Sequence, residues 1–314
     1  WIKKRNATRN HNLFDVIRGV QKALHSDANS AEATSANYLT AFGADGFSVG
    51  SSSNVNANSD TYASWNWKAG GSGSSNSDGS ITSTVSANTT AGFSIVKYTG
   101  TGSNATVGHG LGASPKMIIF KNTNSTRDWA VYHSAMNDPD AYLALNQTYA
   151  KEASYNFSNN TAPTSSVFSV GTLNGNNGSS QDYIAYCFAE KTGYSKFGTY
   201  EGNSSSDGTF VYTGFKPAWL LVKAASGSQT PQNQSWPIWD NKRSSSGGNN
   251  ENSYKLYANA TDAEATSAIA QVDLVSNGFK FRNSTHQSNS SNTYVYMAFG
   301  QSLVGSNNVP ATAR

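Results

Sequence analysis

The side chains that could do chemistry are sparse and scattered. Acid–base catalysis needs titratable groups brought together, and metal binding needs ligands at set spacings. The five histidines, His11, His25, His109, His133 and His286, include no pair at helical ligand spacing. Asp138 and Asp140 could serve as the carboxylate pair of a glycoside hydrolase. They flank a proline in NDPD, however, which is a turn by composition. Residues Gly108 to Gly112, GHGLG, contain part of a dinucleotide fingerprint without the helix that must follow it, so they too read as a turn. There is no Gly-x-Ser-x-Gly elbow, no phosphate loop and no EF-hand register in the Asp/Asn-rich loops. Cys187 is the only cysteine, which excludes a disulfide within the chain, and its setting, YIAYCF, reads as a buried core thiol. The sequence therefore offers no catalytic residue, no cofactor site and no metal site.

Binding chemistry is better supplied. A sugar packs its C–H face on an aromatic ring while nearby amides and carboxylates read its hydroxyls. The candidates for glycan contact are Trp236, Trp129 and Trp239, with Trp65 and Trp67 behind them. Trp236 ends a polar insertion and is expected to be the most exposed. Trp239 and Trp67 lie in strand-like patterns and are expected to be packed.

The elements that must position these groups are strands. Only 13% of the 314 residues are charged, and 12% are aromatic, an abundance that disordered chains lack. Gly, Ser, Thr and Asn dominate the rest and separate short runs rich in Val, Ile, Tyr, Phe and Trp, the signature of strands and turns. YVYMAF and YIAYCF are apolar on both alternating faces, which suits strands in the middle of a sheet.

The runs recur. Phe47 and Tyr62, Phe168 and Tyr183, and Phe279 and Tyr294 share one spacing of 15 residues. Lysines end the runs WIK, MIIFK and WLLVK at Lys3, Lys121 and Lys223. A second apolar run follows each lysine and ends at Asp15, His133 or Asp240; the third copy carries a five-residue insertion around SGSQTPQNQ. Such self-similarity predicts an all-β chain of about three serial antiparallel sandwich-like repeats. The expected boundaries are a partial first repeat over 1–70, a Gly/Ser-rich linker over 71–91, repeat two over 92–191, repeat three over 192–302 and a tail over 303–314. Repeat one lacks the opening hairpin of its sisters, so the expectation is that upstream residues or another chain complete it. AEATSA occurs twice, at Ala31–Ala36 and Ala263–Ala268. Asp or Ser before good helix formers predicts a short helix there, and DVIRGVQKALHS (Asp15–Ser26) predicts another.

Net charge is +3, and the one dense basic cluster is Lys3, Lys4, Arg5 and Arg9. No recognition helix or aromatic interleaving accompanies it, so it reads as a solvated terminus and no nucleic-acid partner is expected. No apolar run approaches the roughly 20 residues that span a bilayer, and no membrane insertion is expected.

The repeats resemble a domain found in tail-fibre and related structural proteins of marine tailed bacteriophages. The resemblance rests on DGSITSTVSANTTAGFSIVKYTGTGSNATVGHGLGASPK (Asp78–Lys116), YIAYCF, GYSKFGTYEGN, FVYTGFKPAWLLVK and the LFDVIRG near the start, and covers nearly the whole chain. In that family a laminin-G-like, lectin-type sandwich commonly precedes these repeats; none lies in this chain. The resemblance implies a non-catalytic virion structural protein of tail-fibre or adhesin type, with self-association (a homotrimer), other virion proteins and a host-surface glycan as partners. The same sequence would suit a capsid-decorating or head-fibre protein without a receptor role. A glycan-cleaving depolymerase has no supporting motif.

Overall fold

The computed structural model describes residues 1–300 except 155, 227–233, 244–249, 267–270 and 285–286. His286, most of the third-repeat insertion, the end of the second AEATSA and the expected tail over 303–314 thus lie outside the described residues. The chain is all-β, with antiparallel sheets in sandwich-like layers and one short 3-10 turn at Ser134–Met136 among the described residues. It divides into two compact bodies. The first holds Trp1–Gln147, Glu152–Ala189 and Ala258–Ala263; the second holds Thr148–Lys151, Glu190–Tyr257 and the chain from Glu264 on.

In the first body the opening strands are β1 (Ile2–Lys4), β2 (Leu13–Asp15), β3 (Gly19–Leu24), β4 (Ala33–Thr34), β5 (Leu39–Phe42), β6 (Phe47–Val49) and β7 (Tyr62–Ser64). They make small sheets, β1–β7, β2–β3–β4 and β5–β6. There follow β8 (Ser74–Asn76), β9 (Ser83–Asn88), β10 (Phe93–Thr99), β11 (Ala105–Gly108), β12 (Met117–Asn122), β13 (Ala130–His133), β14 (Ala141–Ala144), β15 (Glu152–Ala153), β16 (Val167–Val170) and β17 (Asp182–Phe188). Eight of these form one sheet in the order β15-β14-β13-β12-β17-β10-β9-β8, and β11 pairs with β16. The two layers close on a core that includes Val96, Tyr98, Ile118, Phe120, Tyr183 and Cys187 on one side and Val107, Phe168 and Val170 on the other. Strand β17 is paired on both edges, by β12 and β10, and is buried on both faces.

The second body repeats this plan. Its strands are β18 (Ser195–Glu201), β19 (Phe210–Tyr212), β20 (Pro217–Ala224), β21 (Pro237–Asp240), β22 (Glu251–Asn252), β23 (Leu256–Tyr257), β24 (Val272–Val275), β25 (Gly278–Phe281) and β26 (Thr293–Gly300). One sheet runs β18-β26-β20-β21-β23, the same order as β10-β17-β12-β13-β14; the other runs β19-β25-β24-β22 and contains the counterpart of β11–β16. The core between them is aromatic, with Tyr200, Trp239, Tyr294 and Tyr296 facing Phe279 and Phe281.

Several expectations fail, each for a local reason. Asp15–Ser26 is not helical. The Asp15 carboxylate accepts from the amides of Ile17 and Arg18, at 3.1 and 2.8 Å, and so bends the chain at once. Gly19 then takes a left-handed φ of 89°, and the following residues pair back on β2. AEATSA is extended as well: Ala33 and Thr34 pair with Ala23 and Lys22, and Ala265 bridges to Lys255. Pairing to a neighbour overrides a weak helical preference here. The presumed linker over 71–91 carries β8 and β9, which extend the eight-stranded sheet beside β10. Its polar alternation is that of an edge with one wet face. Finally, the basic cluster is only half solvated, because Lys3 and Lys4 are buried.

Candidate functional site

The three strand-ending lysines occupy one register. Lys3 lies opposite Ala63, Lys121 opposite Ile184 and Lys223 opposite Val295, each one residue beyond the tyrosine of the 15-residue spacing. All three are fully buried. A buried ammonium must have its donors met, and each Nζ finds two backbone carbonyls. Lys3 donates to Arg9 at 2.8 Å and Thr261 at 3.0 Å, and Lys121 to Arg127 at 2.9 Å and Asn29 at 3.1 Å. Lys223 donates to Thr148 at 2.9 Å and to Gln234. Burial lowers all three, Lys3 and Lys121 to about 8 and Lys223 to about 7. Nearby carboxylates, Asp27 and Asp262 for Lys3 and Asp128 for Lys121, oppose that fall.

Two of the three tryptophans expected to meet glycan, Trp129 and Trp236, sit in these cradles. Lys121 Nζ stands 6.0 Å over the Trp129 ring and Lys223 Nζ 5.8 Å over that of Trp236. Trp129 Nε1 donates to the carbonyls of His25 and Ala28. Trp239 packs into the aromatic core of the second body. Trp129, Trp236 and Trp239 are all enclosed, at no more than 1% exposure, so the exposure expected of Trp236 is corrected. The ring lies inward to cover a lysine that would otherwise face only carbonyls. His11 takes the corresponding position in the first repeat and accepts from Trp1 Nε1 at 2.7 Å.

A second buried device explains the AEATSA echo. Arg18 Nε meets Asp15 Oδ2 at 2.5 Å and its Nη1 meets Glu32 Oε2 at 3.1 Å. Arg243 repeats this with Asp240 at 2.5 Å and Glu264 at 2.6 Å. Each guanidinium also donates to a strand carbonyl, that of Leu13 or Ile238. The two glutamates are those of the two AEATSA copies. In the first body Tyr186 donates to Asp15 at 2.8 Å, and burial beside that carboxylate pushes the phenol far up. The middle repeat has His133 in place of the aspartate; its Nδ1 accepts from Ala135 and ends the strand. Asp140 pins the loop of Ser158 and Asn160, with Asp138 capping its amide. These groups are consumed by structure, and none converges on an open cleft. Among the described residues no cluster of three His, Cys, Asp or Glu could hold a metal ion.

The exposed aromatic side chains of the second body lie elsewhere. In β19 Val211 points into the core while Phe210 and Tyr212 point out, 45% and 65% exposed. Phe210 lies opposite Lys280 and Tyr212 opposite Gly278. Asp273 follows opposite Lys280, and Glu251 opposite Asp273. The outer face of this sheet thus runs from two open rings to an ammonium and two carboxylates. Lys280 is held by Asp207 at 2.9 Å, whose carboxyl it draws down, and by the Gly208 carbonyl at 2.8 Å. Asp273 is held by Arg282 Nε at 2.6 Å. Gly278 is required: a Cβ there would strike the Val211 carbonyl and the Phe210 ring. The arrangement is a pair of exposed aromatic rings beside hydrogen-bonded charged groups. The sequence gives no sign of it, because FVY is apolar on both alternating faces and so reads as buried.

A family model described as a domain of unknown function (DUF7483) matches residues 1–302. No curated protein and no solved structure matches the chain.

Proposed function

The chain belongs to this family of domains of unknown function, and from that premise we propose that it is a non-catalytic structural protein of a bacteriophage virion, of tail-fibre or adhesin type. In this reading the second body holds a host-surface glycan against Phe210 and Tyr212. The observation that carries the binding role is the exposure of two aromatic side chains on a strand whose middle residue is locked in the core, beside an amine and two carboxylates. A sugar ring stacked there would meet donors and acceptors already fixed in place, which limits the entropy lost on binding. The virion assignment rests on the resemblance of Asp78–Lys116 and the shorter segments to tail-fibre proteins. Self-association as a homotrimer, with other virion proteins as neighbours, belongs to the same reading.

The test joins location to binding. Gold-tagged antibody should label tails or fibre tips of intact particles, and label over the head would make the protein a capsid decoration. On immobilised host surface polysaccharide the chain should bind, and the Phe210→Ala/Tyr212→Ala variant should bind at least about tenfold more weakly at unchanged thermal stability. Equal binding by that variant would remove the aromatic face from the reading.

A further inference from the structure

The two complete sandwiches differ at one strand edge. Val107 of β11 lies opposite Phe168 and Val211 of β19 opposite Phe279, so Thr106 corresponds to Phe210 and Gly108 to Tyr212. In the first body the outer edge of β11 is occupied by an extended segment, residues 79–83. Ile81 bridges to Val107 in parallel. Its amide donates to the Thr106 carbonyl at 2.9 Å, and the Ser80 hydroxyl accepts from the Thr106 amide at 2.9 Å. The Ser83 hydroxyl donates to the Gly108 carbonyl at 3.0 Å. Ile81 is buried in one core cluster with Val107. Position 79 requires glycine, because a Cβ there would strike the Thr106 carbonyl.

No such segment meets β19 among the described residues. Phe281 N donates to Thr209 O at 3.2 Å and Thr213 N to Asn277 O at 2.9 Å. By alternation, the amides and carbonyls of Phe210 and Tyr212 turn away from β25, toward the outer edge. Among the described residues nothing pairs with them there. The neighbouring edge of the same hairpin is closed. Ser195 N donates to Lys191 O at 2.9 Å and Phe197 N to Glu190 Oε2 at 3.4 Å, on the side of β18 that corresponds to the side of β10 covered by β9. The chain reaches β18 from β17 through residues 189–194 alone, so the place held by residues 79–83 in the first sandwich has no counterpart before β18.

We infer that the outer edge of β19 accepts an extended segment of another polypeptide, running parallel to it and carrying Gly-Ser followed by Ile or Val. The occupied edge of β11 supplies the chemistry. The amide of the aliphatic residue donates to the Phe210 carbonyl, and the serine hydroxyl accepts from the Phe210 amide. The aliphatic side chain drops beside Val211 at the rim of the core, as Ile81 does beside Val107. The glycine lets the incoming chain lie close against the Phe210 carbonyl. Main-chain pairing to an open edge gives the affinity, and these three side-chain positions give the selection. On β19 the inference calls on main-chain groups and not on the rings of Phe210 and Tyr212, so it stands apart from the glycan reading.

The probe is a fluorescent peptide of residues 77–84, titrated with the full chain and read by anisotropy. Saturable binding at one peptide per chain is expected. Phe210→Pro removes an amide that faces the outer edge and takes no part in pairing with β25, a place where a strand tolerates proline. It should weaken binding at least about tenfold, whereas Phe210→Ala, which keeps the amide, should stay within about threefold of the unaltered chain. Against the unaltered chain, peptides with Gly79→Ala or with an N-methyl group on the Ile81 amide should also bind at least about tenfold more weakly, a comparison that does not depend on how Phe210→Pro folds. No binding to the unaltered chain, or equal binding by both altered peptides, would overturn the site. Full binding by a folded Phe210→Pro chain would overturn it also, by placing the peptide on β11 in exchange for residues 79–83.

Discussion

Lys3 Nζ donates to the carbonyl of Thr261, a residue 258 positions further along the chain. The bond joins the start of the sequence to the segment 258–263 inside the first body. It is one of three equivalent cradles, and their shared electrostatics set a pH dependence. Lys3 and Lys121 are lowered to about 8 and Lys223 to about 7 by burial. A lysine whose folded pKa is depressed costs stability while protonated, because the unfolded chain binds that proton more readily. Stability therefore rises with pH between the folded and unfolded values, here from pH 7 upward. Buried Tyr98, Tyr200, Tyr186 and Tyr296 act in the opposite sense near pH 10, where the unfolded phenols ionise first. Urea midpoints should climb by an equivalent of about 1–3 kcal/mol between pH 7 and 9.5 and then fall. A flat profile would mean the lysines are solvated.

The Asp–Arg–Glu triads give a graded prediction. Arg18→Met strands the buried Asp15 carboxylate and should cost about 3–5 kcal/mol. Glu32→Gln keeps an acceptor at the partly exposed end of the triad and should cost about 1 kcal/mol. Arg243→Met and Glu264→Gln should follow the same order in the second body. Chemical denaturation of the four variants checks the ranking.

Trp129→Phe and Trp236→Phe test the correction made above. Each removes a buried ring edge over a lysine, and each should lower stability by about 1–3 kcal/mol. Polysaccharide binding per folded molecule should not change. If Trp236→Phe abolished binding without loss of stability, the glycan site would belong with the insertion after all.

Glycine positions offer a fourth check. Gly202→Ala should destabilise the second sandwich by more than about 2 kcal/mol, since the new methyl meets the Ser290 carbonyl, a backbone atom that cannot swing away. Gly193→Ala meets open space and is opposed only by its φ of 75°, so it should cost about 1 kcal/mol. Thermal melts of the pair separate steric from conformational cost.

How much of this the sequence discloses depends on the range of the forces involved. Local pattern reveals strand character, and the 15-residue spacing marks equivalent positions in the repeats, because Phe168 and Tyr183 belong to consecutive strands whose separation is fixed by one loop. Cys187 and the two-face burial of YIAYCF follow from apolar context. What escapes is set by distant partners. Asp15–Ser26 has helical letters, yet the carboxylate turn at Asp15 and pairing with β2 decide it. Lys3 and Lys4 look solvated because their carbonyl and carboxylate partners lie elsewhere in the chain. Trp236 looks exposed beside a polar insertion, although Lys223 holds it inward. Phe210 and Tyr212 look buried, and only the sheet's open outer side shows which way they face.

The carbonyl that Lys3 receives from Thr261 also orders events in time. During synthesis the first 200 residues leave the ribosome before the segment over 258–263 exists. Until then Lys3 has no second acceptor, so the first body waits in an unfinished state on the third repeat. Closing so long a loop is slow, which places this step late in folding. Once made, the same bond ties an early and a late segment of the chain together within the first body.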